Sequence, residues 1–410
     1  MREIFNRLGD EVARRWESRN FDPDRFADIA TTSLAASQLC NDVSLEDVVR
    51  WFLTSRDLPS QQLRGFGQPP INVYNGRGFF IELLFWVNTP TSIHQHAFAG
   101  AFGVVHGSSL HSRYSFETTE RICRELRLGE LTLESTEDLE RGDVRTIEPG
   151  DRFIHSLLHL ESPSISVVVR TPFLPAYEPQ YRYTRPGLAT DPLYKIEPLE
   201  TQLQLLAMLR RTRPSAHAEL ALELVSTRDL WYAFNVIKTV AAESIASPLF
   251  SKVMGILTQR HETFAKTLSA ALHEDLRHRL IARHMRDVTN ADGRYLLALL
   301  MNAPNGDAIR DLIERRFPGY GAEQKILDVL ENLAATGRLG PQLSGLPVRE
   351  PLAFAMRGAS FADLGADLDI RKASSAEQSA LLRKTWYAVN SVELLRPLLT
   401  PAGTTPLAAS

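Results

Sequence analysis

The sequence predicts an α+β protein in which a β-barrel lies between N-terminal helices and a large, all-helical C-terminal region. Three observations predict this class. Apolar residues at the start of the chain recur every three or four positions, as on one face of a helix. From about residue 70, short apolar segments alternate with turn residues, which is typical of a β-sandwich or barrel. Helical spacing returns after residue 200, and no proline occurs between Pro248 and Pro304.

Composition sets the first limits on function. The chain has 410 residues, with 46 Lys+Arg against 49 Asp+Glu and a formal net charge of −3. At about 100–200 residues per domain, this length suggests two or three domains. The balanced charge gives no basic footprint for nucleic acid, and no apolar run reaches the ~18 residues of a membrane span. The chain starts without an apolar signal core and has only two cysteines, Cys40 and Cys123, so we expect a reduced, cytoplasmic protein.

Residues 1–65 are expected to form an N-terminal helical segment. One helical face is marked by five apolar residues at spacings of three and four: Ile4, Phe5, Leu8, Val12 and Trp16. Asp22 followed by Pro23 predicts the cap and first turn of a second helix. Ser44, three residues before Asp47, resembles a capping box that opens a third helix.

Residues 66–175 are expected to form the barrel. The predicted strands are Phe79–Val87, Phe102–His106, Arg113–Phe116, Leu131–Leu133, Val144–Ile147, Phe153–His159 and Ile165–Thr171. Turn residues separate most of these segments, among them Gly129, Gly142 and the pair Pro149-Gly150. Many short strands with regularly spaced turns predict a sandwich or barrel rather than alternating β/α units.

The rest of the chain divides into three parts. Residues 176–200 are expected to be a proline-rich connection, because six of the 23 prolines lie between positions 172 and 198. Residues 201–400 are expected to form a helical domain, and residues 401–410 a disordered tail. The histidines of the helical domain show no metal-binding spacing, and we expect them at the surface: His217, His261, His273, His278 and His284.

Six of the eleven histidines fall between His94 and His159. Residues two apart in a strand point the same way, so His94 and His96 can direct both imidazoles to one point. His155 follows the Pro149-Gly150 turn and can supply a third nitrogen from a neighbouring strand. Such a set suits a first-row transition metal. The alternative is an accidental pair on a polar strand face.

These residues resemble the cupin superfamily, and within it the cysteine dioxygenase-like thiol dioxygenases. His94, His96 and Gly107 match the first cupin motif, while Gly100 stands where that motif has a glutamate. Thiol dioxygenases also lack this carboxylate and hold ferrous iron with three histidines. Further similarities are Phe85-Trp86, Ser92–His96, Ile154-His155 and Ser164–Phe173. The resemblance covers about residues 70–175 and implies a double-stranded β-helix, or jelly roll, with His94, His96 and His155 as metal ligands.

Departures from this family bear on the substrate. Cysteine dioxygenase holds the carboxylate of cysteine with an arginine ahead of the first motif, and the matching stretch, Gly65–Tyr74, has none. The histidine and tyrosine of its catalytic relay would fall near Val168 and Arg170, so both are absent here. Gly100 also occupies the place of a cross-linking cysteine in some relatives. Free cysteine is therefore not the expected substrate.

Three neutral imidazoles leave a bound dication its full charge and leave octahedral iron about three open positions. Such a site suits an anionic substrate together with dioxygen. The resemblance to the thiol dioxygenase barrel favours iron, so we expect an Fe(II)-dependent oxygenase or dioxygenase acting on a small anionic metabolite. Zinc with the same ligands would acidify a bound water, so a zinc- or manganese-dependent hydrolase, lyase or isomerase is one alternative. A non-catalytic cupin that senses a metal or ligand, with a partner-binding helical domain, is the other.

Other residues near the motifs are candidates for the same site. His159 can orient a ligand or carry a proton, and its alternative role is a strand histidine satisfied by backbone. Arg170 lies in an apolar strand and can bind an anion, or stand at the barrel mouth. His106 has the same strand parity as Gly100 and can face inward. His106 and Tyr74 are candidate substrate-binding residues. The helical region is expected to form a homodimer or to contact a carrier or partner protein.

Overall fold

The computed structural model of the chain describes residues 1–61, 66–87, 91–174, 176–370 and 376–399, and the predicted tail at 401–410 lies outside them. The N-terminal helices are α1 (Arg2–Glu17), α2 (Phe26–Ala36), α3 (Leu39–Asp42) and α4 (Leu45–Thr54). Both predicted caps are present. The Asp22 carboxylate accepts from a backbone amide in a 3-10 turn before α2, and the Ser44 hydroxyl accepts from the Asp47 amide at 3.1 Å.

The strands lie between residues 70 and 190. They are β1 (Pro70–Asn75), β2 (Phe80–Trp86), β3 (His94–His96), β4 (Gly100–His106), β5 (Ser109–Cys123), β6 (Leu126–Leu139), β7 (Val144–Ile147), β8 (Gly150–His159), β9 (Ser164–Arg170), β10 (Arg182–Thr184) and β11 (Leu188–Thr190). The segment predicted as a proline-rich connection therefore contributes two short strands.

The strands form two sheets. A five-stranded antiparallel sheet has the order β1-β2-β9-β4-β7. The other six strands, in the order β10-β11-β6-β5-β8-β3, close into a barrel because β10 also pairs with β3. The chain is thus a mixed α and β protein with a closed barrel between helical regions, as the sequence predicts at this level.

The long hairpin of β5 and β6 differs from the prediction. Short strands were expected at Arg113–Phe116 and Leu131–Leu133, with a turn at Gly129, but β5 and β6 pair almost without interruption from Ser109 to Leu139. Gly129 lies inside β6, where a Cβ atom would collide with the carbonyl oxygen of Glu117. The prediction at Gly129 was therefore wrong, because its lack of a side chain serves close backbone approach rather than a turn.

The two faces of the five-stranded sheet have different neighbours. Alternate residues of β2 and β9, such as Leu83 and Val167, pack with apolar side chains of α1 and α2 in one core. The intervening residues, such as Leu84 and Val168, face the interior between the two sheets together with Phe102. The N-terminal helices therefore cover the outer face of this sheet, and the inner face is left to form a cavity.

The C-terminal region is helical, as predicted. Its helices are α5 (Glu197–Thr212), α6 (Pro214–Thr227), α7 (Leu230–Ala241), α8 (Pro248–Arg260), α9 (Glu262–Met285), α10 (Ala291–Asn302), α11 (Gly306–Arg316), α12 (Ala322–Ala335), α13 (Arg349–Met356), α14 (Phe361–Ile370), α15 (Ala376–Ser391) and α16 (Arg396–Leu399). None of the described helices is long and apolar enough to cross a membrane.

These helices pack around two cores that share α9. The first half of α9 packs with α5–α8 and with apolar residues of β6 and β11, and its second half packs with the later helices and with Leu110, Leu158 and Leu160 beside β5 and β8. The expectation of surface histidines was wrong for His217, which is 3% exposed. His217 lies on the same face of α6 as Ala221 and Val225, which pack in the core that α6 forms with α7 and α8.

Candidate metal centre

Three histidines converge on the inner side of the barrel. His94 and His96 lie at the two ends of β3 and point to the same face, and His155 lies directly opposite His94 on the antiparallel neighbour β8. One ring nitrogen from each of the three lies within 4.8 Å of the others. The structure thus brings together the three residues that the sequence predicted as a group.

A hydrogen bond to a backbone carbonyl fixes which nitrogen of His94 carries the proton. The Nδ1–H of His94 donates to the carbonyl oxygen of Ser92 at 2.7 Å, so its Nε2 is left with a lone pair, and this buried Nε2 has no hydrogen-bond partner. Nε2 of His155 lies 2.9 Å from Nε2 of His96. A buried orphan nitrogen beside two facing imidazole nitrogens fits a bound cation, because only a shared proton or a metal relieves the repulsion of their lone pairs.

A second histidine and a carboxylate stand behind His155. Nδ1 of His155 lies 3.1 Å from Nε2 of His111, and Nδ1 of His111 lies 2.9 Å from Oε1 of Glu137. Arg145 donates to both oxygens of Glu137, at 2.9 and 2.7 Å. Because the Glu137 carboxylate only accepts, protons on both Nδ1 atoms satisfy the whole chain and leave Nε2 of His155 free to ligate.

The interior keeps the three histidines neutral. Burial lowers the pKa of His94 to about 4 and lowers the pKa values of His96 and His155 well below 6.5. The pKa of Glu137 falls to about 2, first because it accepts from His111 and second because it accepts from Arg145. A neutral imidazole is the form that binds a metal, so this set is ready to bind one without first losing protons.

The histidines line a cavity of about 770 Å³ between the two sheets. Most of its wall is apolar. Buried members are Leu84, Trp86, Phe98, Phe102, Leu157 and Val168, and exposed members are Phe66, Phe173 and Leu193. Gln180 also lines it, and Oε1 of Gln180 is buried without a hydrogen-bond partner. The cavity is large enough to hold a small molecule next to the histidines.

Arg170 reaches the cavity wall, where it is paired with a carboxylate. Its Nε donates to Oε1 of Glu82 at 2.6 Å, and both side chains are less than a tenth exposed. The guanidinium also lies over the rings of Phe80 and Phe98, each at 4.4 Å. Glu82 faces the same cavity from β2, two residues before Leu84. Arg170 and Glu82 therefore form a buried ion pair in the wall.

The other predicted site residues lie elsewhere. His159 is stacked on Trp86 with ring centroids 4.8 Å apart, and its Nδ1 faces the hydroxyls of Ser109 and Ser164 at 2.9 and 2.7 Å. Burial lowers its pKa to about 3. The His159 ring therefore packs behind Trp86 of the cavity wall, and serine hydroxyls rather than backbone groups satisfy its Nδ1. His159 does not belong to the three-histidine cluster.

Tyr74 and His106 are also outside the cavity wall. The Tyr74 hydroxyl donates to Asp10 of α1 at 3.0 Å, and its ring stacks on Phe79, on the face of the sheet that the N-terminal helices cover. His106 ends β4 opposite Ile165, after an irregular register that follows Val104. This irregularity breaks the alternation on which an inward-facing His106 was predicted.

Sequence reasoning missed His111, Glu137 and Gln180. His111 and Glu137 are directly opposite each other in the β5–β6 hairpin, so a correctly predicted hairpin register would have paired them. Three register shifts lie between this pair and the Cys123–Leu126 end of the hairpin, so counting residues from the turn does not give the pairing. Gln180 lies in an irregular segment before β10, where spacing carries no information on direction.

The arrangement can bind a metal ion through three imidazoles while leaving the remaining coordination positions open to the cavity. Among the described residues, these three form the group whose geometry can hold a metal. Gly100, at the position of the glutamate in the cupin motif, pairs with Arg170, and a Cβ there would collide with the carbonyl oxygen of Val169. A fourth ligand from this position is therefore excluded by the close approach of β4 and β9.

Comparisons with known proteins give little guidance. Neither the protein-family models nor the curated protein sequences match this chain. A solved structure described as "Crystal structures of DMSP lyases RdDddP and RnDddQII" matches 42% of this chain and 93% of its own, with 14% identity and a TM-score of 0.24. The X-ray structure of E. coli ycfD matches 43% of each chain, with 15% identity and a TM-score of 0.18. Such low scores carry no argument about fold or function.

Proposed function

We propose that this chain is a cupin-type metalloenzyme, an Fe(II)-dependent oxygenase or dioxygenase that acts on a small anionic molecule. His94, His96 and His155 are the proposed metal ligands. One observation carries the proposal: three imidazoles direct nitrogens into one largely apolar cavity, and among the described residues no carboxylate joins this group. Because three imidazoles do not neutralise a bound dication, its charge is available to attract an anionic substrate.

Support for a cupin barrel comes from the residues rather than from similar structures. The motif residues His94 and His96 occupy one strand, His155 occupies its neighbour, and both sheets contribute to the cavity. We propose residues 66–175 as the metal-binding unit, completed by β10 and β11 from the 176–200 segment. Residues 1–65 cover it, and residues 201–400 form the helical domain that is available for a homodimer or a partner protein.

The resemblance of His94, His96 and His155 to the three-histidine set of thiol dioxygenases favours iron over zinc in this proposal. These three side chains would hold the ion, and the open side of the cluster would face the cavity. Bound iron would supply a redox-active Lewis acid at this point.

The residues around the cluster have separate tasks in this proposal. His111 and Glu137 hold the His155 ring in one orientation and keep its proton on Nδ1. The apolar walls exclude water from the cavity, which strengthens electrostatic interactions inside it. Arg170 positions the polar end of the substrate by hydrogen bonding rather than by net charge, because Glu82 already balances its charge. His159 holds Trp86 in the wall.

Metal analysis tests the proposal most directly. Untagged protein from iron-supplemented cells should contain about one iron per chain, and His94→Ala or His96→Ala should remove it while the fold persists. Iron-loaded protein should also consume dioxygen with a suitable anionic substrate. Stoichiometric zinc under iron supplementation, with activity that persists without dioxygen, would instead indicate a zinc- or manganese-dependent hydrolase, lyase or isomerase. Metal-free protein with an intact fold would leave the sensing alternative.

A further inference from the structure

The cavity around the histidine cluster is far larger and more apolar than a free amino acid needs. Its volume of about 770 Å³ lies in the upper part of the ~300–1,000 Å³ range of pockets that enclose whole drug-sized ligands. Buried aliphatic and aromatic side chains such as Leu84, Phe102 and Val168 line its interior. A small polar substrate would leave these walls in contact with trapped water.

The charged and metal-binding groups of this cavity are few. Within the described residues, the charged side chains that line it are Arg170 and Glu82, which pair at 2.6 Å. A cation held by His94, His96 and His155 would attract an anionic group, so a ligand with a single anionic group would place that group there.

The opening of the cavity is apolar too. Phe66, Phe173 and Leu193 line it while remaining 42%, 49% and 56% exposed. Large apolar side chains are costly to leave in water, and a cluster of them beside a cavity indicates a surface that an apolar ligand covers. Phe173 also stacks on Phe98, which in turn contacts His96, so apolar surface continues from the cluster to the opening.

We propose that the substrate is an amphiphilic acid: one anionic, metal-binding group joined to a long alkyl or aryl body that extends along the apolar wall to the opening. This inference rests on the proposed metal site and specifies its substrate class. It predicts that affinity increases with apolar length. Burying one methylene is worth enough free energy to tighten binding about fourfold.

The test measures binding of straight-chain acids to Co(II)-loaded protein, because Co(II) reports a bound ligand in its visible spectrum without redox turnover. From butanoate to decanoate, the Kd measured by calorimetry should fall about fourfold per methylene until the cavity is filled. The cobalt spectrum should change with each acid that binds, and the His94→Ala protein should show neither effect. A Kd that does not depend on length, or that favours the shortest acid, would overturn the inference.

Two matched variants locate the apolar body. Leu193→Asp should weaken decanoate binding at least tenfold and leave butanoate binding within twofold of the parent protein. Leu205→Asp is the control, because Leu205 is 54% exposed on α5 and does not line the cavity. Equal effects of both variants would refute the placement at the opening. If Co(II) fails to bind, or binds equally to His94→Ala, the proposed metal site fails; if it binds normally and length has no effect, only the substrate class fails.

Discussion

The hydrogen-bonded chain from His155 through His111 to Glu137 makes a quantitative prediction about metal affinity. Loss of the group that orients a metal-binding histidine typically lowers affinity by about 10- to 100-fold, or about 1.4–2.7 kcal/mol. Glu137 is 40% exposed, so water partly replaces it and Glu137→Gln should lie near the tenfold end. His111 is 1% exposed, so His111→Phe leaves Nδ1–H of His155 without an acceptor and should approach the hundredfold end.

Competition with a chromophoric chelator for Zn(II) measures these affinities directly. His111→Phe is a fair substitution, because the rings of Phe102 and Phe153 already lie 5.8 and 5.9 Å from the imidazole. Glu134→Gln is the matched control, an exposed carboxylate on the same strand β6. Urea unfolding of the metal-free variants separates loss of fold from loss of affinity. Parent-like zinc affinity in folded His111→Phe would show that this chain does not position His155.

Three further predictions concern stability. Arg170→Met should lower the free energy of unfolding by about 3–5 kcal/mol, because it removes one partner of a buried ion pair, and the double variant with Glu82→Gln should recover most of this loss in urea unfolding. Unfolded His159 binds a proton below a pKa of ~6.5, whereas the folded protein, with its pKa at about 3, does not, so stability falls by about 1.4 kcal/mol per pH unit as pH drops from 6 to 4. His159→Phe should make that slope shallower by this amount, and an unchanged slope would contradict a buried, neutral His159. Gly100→Glu, which places a carboxylate where the cupin motif has one, should cost about 1–3 kcal/mol or more and add no metal affinity, because any Cβ collides with the carbonyl of Val169; tighter zinc binding would show that β4 and β9 can separate.

The sequence predicted the part of the site that depends on local periodicity. His94 and His96 share a face, as residues two apart in a strand do, even though the β3–β8 register shifts between them. The Pro149-Gly150 turn precedes β8, which pairs with β3 and brings His155 opposite His94. Helical segments and their caps followed from spacing and from Asp22 and Ser44 in the same way.

What the sequence could not show depends on register and on long-range packing. His111 lies opposite Glu137 in the β5–β6 hairpin, and three register shifts between this pair and the turn prevent prediction of the pairing from residue spacing. Arg170 pairs with Glu82, which lies 88 residues earlier in the chain. This ion pair can be predicted only once β2 is known to align with β9. His106 was placed by counting residues across a bulge, and such counting fails after any inserted residue.

Helices α9 and α10 of the C-terminal region contact the two barrel strands β5 and β8. Arg294 of α10 is 5% exposed, and its Nε and Nη2 donate to the carbonyl oxygen of His159 at 3.1 and 2.9 Å. The same guanidinium donates to carbonyls of Met285 and Val288 at the end of α9. Leu110 and Leu158, from the two strands that carry His111 and His155, belong to the core of these helices. The helices therefore hold in place the two strands that align His155 with His111.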